Sequence, residues 1–408
     1  MEASEFYEPV PTPGPGPLAG IRVLEATTSW AGPMCGCVLA DLGADVVKVE
    51  LAGGEVARKV PPFLPGSDPP LSFMHATVNR NKRSVCLDLR TEAGREVFLD
   101  LARRSDVVLE NFCAGTLDGW GLGYRGVRAV KDDIVYCSIS GFGQWGPDHD
   151  RVAYDPLIQA TAGFMSVNGE VGGEPVKAPT YLTDDISGLH GAVAILAALR
   201  HRSTTGEGQH LDVSMLDALL FQSSGHLTLG AIGADRRWGN EFSVAAPANA
   251  YECKDGRVFF GVLLDTQWKA MAQVIGGDEL AANTDYHTTL GRIARRDELN
   301  ALLGAWAAKR TKDEICDAMR AVAVPAAAVR TYAEAAADPH ILARGMLVDV
   351  VQPDGSTQPI TGPAAKFSRT PTSIRSAAPT GGAHTDEVLA EIGYQPDRIE
   401  RLRAEGVL

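Results

Sequence analysis

No uninterrupted apolar run in the 408 residues approaches the roughly 18 needed to span a bilayer, so a soluble protein without a membrane partner is expected. Residues 1–17 have neither a basic nor an apolar leader region; they are acidic and then proline-rich, and read as a loose lead-in rather than a secretory signal. The seven cysteines, Cys35, Cys37, Cys86, Cys113, Cys137, Cys253 and Cys316, are odd in number and lack disulfide-framework or zinc spacing. That pattern suits a reducing cytoplasm and argues against a stapled scaffold. His149, His190 and His201 have no partners at metal-ligand spacing, so no metal site is expected. A formal net charge of -13 argues against nucleic acid, whose phosphates such a surface repels. Neither G-x-G-x-x-G nor a Walker loop is present, and no repeat or low-complexity tract appears.

What remains has ordinary globular composition, 45% hydrophobic and 22% charged, at a length that favours two domains over one. Strand-like Ile21 to Ala26, a helical stretch Ala31 to Leu42 and strand-like Asp45 to Glu50 form a βαβ unit. The alternation continues through strand Arg83 to Leu89, helix Glu92 to Arg104, strands Asp106 to Glu110 and Ile134 to Ser140, helix Ile186 to Arg202 and strand Gln209 to Met215. The expected fold class is α/β: a large domain built on a Rossmann-like parallel sheet, with a smaller α+β domain. Residues 1–230 would form the N-terminal part of the large domain, 231–330 the small one, and 331–408 a return segment completing the large domain. The small domain is announced by Tyr251 to Gly261, with Asp255-Gly256 at a hairpin turn, and by helices Arg296 to Lys309 and Lys312 to Val322. Asp354-Gly355 marks another hairpin, a proline-containing passage runs from Pro359 to Pro379, and a last helix starts at His384.

Thr183-Asp184-Asp185-Ile186-Ser187-Gly188 puts two carboxylates where an apolar helix should begin. One reading is a simple N-cap. The other is a reactive acid, since the helix dipole favours the anion and an ionised carboxylate can attack a thioester or anhydride. Gly32-Pro33 opens a helix of small residues, which is either a tight strand-to-helix turn or an anion site. Asn79-Arg80-Asn81-Lys82-Arg83 is the densest basic run, either a solvated loop or a phosphate holder. Cys35 and Cys37 flank Gly36 too closely for zinc and are read as structural, with the glycine allowing close packing.

Taken together, Leu18-Ala19-Gly20-Ile21-Arg22-Val23-Leu24, Ala31-Gly32-Pro33, Leu42-Gly43-Ala44-Asp45, Asn81-Lys82-Arg83-Ser84, Glu110-Asn111-Phe112, Ser140-Gly141-Phe142-Gly143, Tyr154-Asp155, Thr205-Gly206-Glu207-Gly208-Gln209 and His384-Thr385-Asp386-Glu387 resemble the class III CoA-transferases, the formyl-CoA and carnitine CoA-transferase family. The likeness covers almost the whole chain. It implies that Asp184, four residues before Gly188, is the catalytic nucleophile, with Asp185 left to capping or solvent. It also implies an acyl-CoA thioester and a carboxylic acid as substrates, no tightly bound cofactor, and an interlocked homodimer, with a related second subunit as an alternative. By position, CoA would meet Ala31, Leu87, Asp88, Leu89, Arg90, Asn111, Phe112, Tyr154 and Asp155.

The departures are specific. Trp30 stands where the formyl enzyme has a glutamine, and Leu51, Gly119 and Val152 replace basic residues. Phosphate binding would then fall to Lys82 and Arg83, and Trp30 would offer an apolar face to the acyl group. A larger acceptor, aromatic or dicarboxylic, is expected, with succinyl-CoA as donor. The family's racemases carry a histidine before the aspartate where this chain has Tyr154, which favours transfer over α-proton exchange. A non-catalytic acyl-CoA-binding subunit is the remaining alternative.

Overall fold

The computed structural model describes residue 14 and residues 16–408, so most of the proline-rich lead-in lies outside the described residues. Six strands form one parallel sheet: β1 (Arg22–Ala26), β2 (Asp45–Glu50), β3 (Lys82–Cys86), β4 (Val107–Glu110), β5 (Val135–Ser140) and β6 (Gln209–Ser214), in the order β3-β2-β1-β4-β5-β6. That is the doubly wound Rossmann order, in which the winding reverses between β1 and β4. β1, β2, β4 and β5 are almost wholly buried. Their sequences are near-continuous apolar runs because both faces of the sheet are covered.

One face carries helix α1 (Ala31–Asp41) and the long helix α4 (Leu182–Thr205); the other carries α2 (Glu92–Arg103) and the C-terminal helices Thr385–Glu391 and Pro396–Ala404. Helix α3 (Asp155–Thr161) lies between β5 and α4 in the chain. α4 packs closely on α1 through glycines. A Cβ on Gly188 would come within 2.9 Å of the Ala31 carbonyl oxygen, and one on Gly191 within 2.9 Å of Ile139. By length and composition α4 could cross a membrane, which counting uninterrupted apolar runs missed; here Ser187, Gly188, Gly191, Ala192, Ile195 and Ala198 are buried within the fold.

Charge is built into the sheet. Glu25 on β1 faces Lys48 on β2 in register, and Lys82 on β3 reaches the same carboxylate at 2.9 Å; all three side chains are fully buried. Lys82 Nζ also donates to the carbonyl of Pro33 and to Asn79 Oδ1. The neighbouring basic run is structural too: Arg80 holds Asp41 through two nitrogens, and Asn81 bonds Asp41 and the backbone of Ser373, Arg375 and Ser376. Arg83 pairs with Asp45, Glu387 and Glu391, fastening the C-terminal helix to the sheet. Lys82 and Arg83 were expected to meet phosphate. Lys82 is instead buried with its ammonium fully partnered, and Arg83 is occupied by three carboxylates.

The described residues divide into two units, one of those up to residue 164, 177–233 and 340–408, the other of residues 165–176 and 234–339. Residues 165–176 escaped the sequence reading, which left them in the large domain. The larger unit includes a hairpin of β10 (Leu347–Val351) and β11 (Thr357–Thr361). The smaller is α+β, with antiparallel β7 (Ala248–Cys253), β8 (Gly256–Gly261) and β9 (Ala326–Ala328). Its own core is built on Trp268, Met271, Phe260, Leu299, Leu303, Ile315 and Met319.

Gly36, in the middle of α1, is required by the buried charges: a Cβ there would lie 1.8 Å from Glu25 Oε2. Gly36→Ala should lower the unfolding free energy by about 3 kcal/mol, the upper end of ordinary overpacking. An unchanged urea midpoint for this variant would show that the carboxylate has room to move.

Candidate active site at the sheet switch point

In an open α/β sheet, ligands bind beyond the carboxyl ends of the strands where the winding reverses. Here β1 ends at Ala26 and β4 at Glu110, and the segments after them, Thr28-Ser29 and Asn111-Phe112, line a cavity of about 410 Å³. Asn111 fixes the turn after β1 in both directions: its Oδ1 accepts from Thr28 N at 2.8 Å, and its Nδ2 donates to the Thr28 carbonyl at 2.9 Å. Glu55 holds the same turn by accepting from Thr28 Oγ1 and Ser29 N. Ser29 adopts φ 65°, a left-handed conformation that this double anchorage sustains. Gly32 is needed one turn on, because a Cβ would lie 2.7 Å from Thr27 and 2.8 Å from Asn111. α1 has no side-chain cap. Of its first residues, Ala31 lines the cavity.

Asp184 lines the same cavity together with Ala31, Ser140, His149, Arg151 and Tyr154. It belongs to the first turn of α4, which begins at Leu182, four residues before the expected start. Neither Asp184 nor Asp185 caps the helix. The cap comes from outside: Asp155 Oδ2 accepts from Thr183 N at 2.6 Å and from Asp184 N at 3.4 Å, while its Oδ1 accepts from Gln159. Asp155, expected at CoA, is thus buried as the anchor of the helix that carries Asp184. Asp185 is not left to solvent either, since its Oδ1 accepts from the Trp30 indole at 2.7 Å. Trp30 is buried, packed on Tyr181 and Phe73, and is not among the lining residues. The expectation that it faces the acyl group gives way to a role in steering Asp185.

The Asp184 carboxylate accepts no hydrogen bond from any described residue. Burial, then the charges of Asp155 and Asp185, push its pKa up to about 8. This corrects the expectation, drawn from the helix dipole alone, of an acid ionised at neutral pH.

Of the residues expected at CoA, the cavity brings together Ala31, Asn111, Phe112 and Tyr154 with Asp184. Leu87 and Leu89 instead bury their side chains in the core, and Asp88 pairs with the exposed Arg90; none of these four lines the cavity. Thr28, Ser29, Ser140, His149 and Arg151 were missed. Their signal was position at or after a strand's carboxyl end, legible only once strand order is known. Among the described residues no group of three His, Cys, Asp or Glu could hold a metal ion. All seven cysteines are free, and burial pushes the Cys37 thiol up to about 12.

The chain matches CoA-transferase family III over residues 18–385 and belongs to that family. It is a CoA-transferase. Succinate--glutarate CoA-transferase of Agrobacterium fabrum is 37% identical over 94% of this chain and 97% of its own. Succinyl-CoA:mesaconate CoA-transferase of Haloarcula hispanica is 38% identical over 94% and 99%. Among solved structures, a CaiB/BaiF family protein from Brucella suis superposes with a TM-score of 0.82 at 35% identity, covering 92% of this chain and 99% of its own.

If the Asp184 anion is the reacting form, kcat/KM toward an acyl-CoA should rise about tenfold per pH unit below about 8 and level above it. Asp155→Asn keeps an acceptor for Thr183 N but removes one repelling charge, so the limb should move to lower pH. A profile flat from pH 5 to 9, or unmoved in that variant, would contradict the electrostatic account.

Proposed function

We propose that this protein transfers CoA from succinyl-CoA to a dicarboxylic acid through covalent intermediates on Asp184. The observation that carries this reading is an unpaired carboxylate facing a cavity at the sheet's switch point, beside the uncapped start of α1. An Asp184 oxygen attacks the thioester carbonyl carbon, the C–S bond breaks, and CoA leaves as thiolate from a mixed anhydride. The thiolate then attacks the Asp184 carbonyl, releasing the donor acid and leaving an aspartyl-CoA thioester. The acceptor carboxylate attacks that carbon, the C–S bond breaks, and CoA leaves again as thiolate from a second anhydride. Return of the thiolate to the acceptor's acyl carbon completes acyl-CoA and frees Asp184. Each addition places negative charge on a carbonyl oxygen, which the uncapped start of α1, where Ala31 lines the cavity, is suited to stabilise. Holding the thiolate and anhydride in one cavity supplies the proximity that two successive acyl transfers need.

The relatives' names support the substrate class. They include succinate, glutarate, mesaconate, L-malate and D-citramalate. Tyr154, where the racemases place histidine, supports transfer over proton exchange. We further propose that two chains pair, as an interlocked homodimer or with a related subunit, a Chloroflexus aurantiacus relative being called a beta subunit. Exposed Leu189, Val193 and Phe221 support this, with His190 edge-on to Phe221 joining their helices. A cytoplasmic location is proposed from the free thiols.

Asp184→Asn should abolish transfer while retaining CoA binding. Wild-type enzyme incubated with succinyl-CoA should yield a hydroxylamine adduct at Asp184. The same variant should melt higher than wild type at pH 8, with the gap closing as pH falls to 4. The sign follows from a carboxyl pKa raised on folding, whose stabilising contribution is full below about 4 and lost as pH rises through about 8. Residual transfer in a well-folded Asp184→Asn protein would sink the mechanism.

A further inference from the structure

We propose that Arg151 selects dicarboxylic acyl groups, its guanidinium pairing with the carboxylate at the far end of the chain whose near end reacts at Asp184. The inference rests on the CoA-transfer reading above and assigns the residue that sets its substrate class. A second carboxylate carried into a cavity loses hydration and needs a matching cation. Arg151 is the one residue of permanent positive charge among those lining the cavity; Asp184 is the one aspartate or glutamate.

The guanidinium is held without being used up. It lies over the Phe142 ring, 4.7 Å from the centroid, a stacking that restricts its plane. Phe142 lies two residues past the end of β5, and the turn is tied to β6 where Gln144 N donates to both oxygens of Asp212, at 3.1 and 3.0 Å. Asp148 takes only Nη1, at 3.0 Å, in a pair whose side chains are each 53% exposed. Such a pair is weak and competes poorly with a ligand carboxylate held in the cavity. Nε and Nη2 make no hydrogen bond to any described residue. They form a fork that can receive a carboxylate through two parallel bonds.

The test measures acceptor kcat/KM with succinyl-CoA as donor for wild type, Arg151→Ala and Arg151→Lys, using glutarate and the equally long monocarboxylate valerate. Because donor and acceptor react in separate halves of the cycle, the acceptor's kcat/KM reports only on its own half. Loss of a charge-assisted contact should lower glutarate kcat/KM by about 10- to 100-fold in Arg151→Ala, mainly through KM. Valerate should stay within about twofold, which also shows that the variant is folded, and Arg151→Lys should fall between. A wild-type preference for glutarate that survives in both variants overturns the arginine's role alone. An equal loss with both acids overturns it in favour of a structural role. Wild-type enzyme that prefers valerate overturns the substrate reading and the arginine's role together.

Discussion

The site depends on a carboxylate that never touches substrate. Glu25, fully buried on β1, receives Lys48 from β2 and Lys82 from β3. Lys48 also lies 3.5 Å from Glu55, and Glu55 holds Thr28 and Ser29 at the cavity. Glu50 extends the network through Arg58 and Ser84. Three acids and three bases balance. Burial disfavours the Lys48 ammonium, yet Glu55, Glu25 and Glu50 outweigh it and hold its pKa above the ordinary value. Burial and then Arg58 push His75 down to about 3, so it stays neutral as it bridges Asn79 and the Pro379 carbonyl. Such a network is weak evidence of net stability, but removing one partner strands a charge at a cost of about 3–5 kcal/mol. It is better understood as fixing register. Three adjacent strands and the turn after β1 are held in one relation, and the cavity inherits its shape from that relation.

The first turn of α4 shows how identical groups are given different work. Asp155, Asp184 and Asp185 are carboxylates crowded at one helix start, and each would serve as a cap in isolation. Asp155 approaches from another helix and takes the backbone N–H groups; Trp30 takes Asp185. Only Asp184 is left unpartnered, and it faces the cavity. Its neighbours are occupied and close enough to raise its pKa, so the protonated, uncharged form is favoured at neutral pH.

Legibility in the sequence followed the range of the interactions. β2, β4 and β5 were readable because a strand covered on both faces is a local apolar run, and the β7–β8 hairpin because Asp-Gly is a local turn signal. The basic run at residues 79–83 was misread because its partners are remote: Glu25 lies 57 residues before Lys82, and Glu391 follows Arg83 by 308. A charge neutralised across three strands looks the same in sequence as one meant for phosphate. Trp30 failed similarly, its bond to Asp185 spanning 155 residues. Asp184 was singled out by its distance from Gly188, and the packing supplies a physical reason for that spacing. Gly188 lets α4 close on the start of α1, and the residue one turn earlier then lies at the cavity.

That same closure explains why an acid can replace the phosphate-binding loop usual at this point in the fold. In a dinucleotide-binding sheet the first helix start receives an anionic ligand directly. Here a second helix, α4, is packed against α1, and Ala31 at the start of α1 lines one cavity with Asp184 from the first turn of α4. On the mechanism proposed above, that helix start would stabilise charge that develops only as Asp184 attacks. A protein-borne nucleophile and a transient oxyanion would, on that mechanism, make the site favour the transition state over a bound anion.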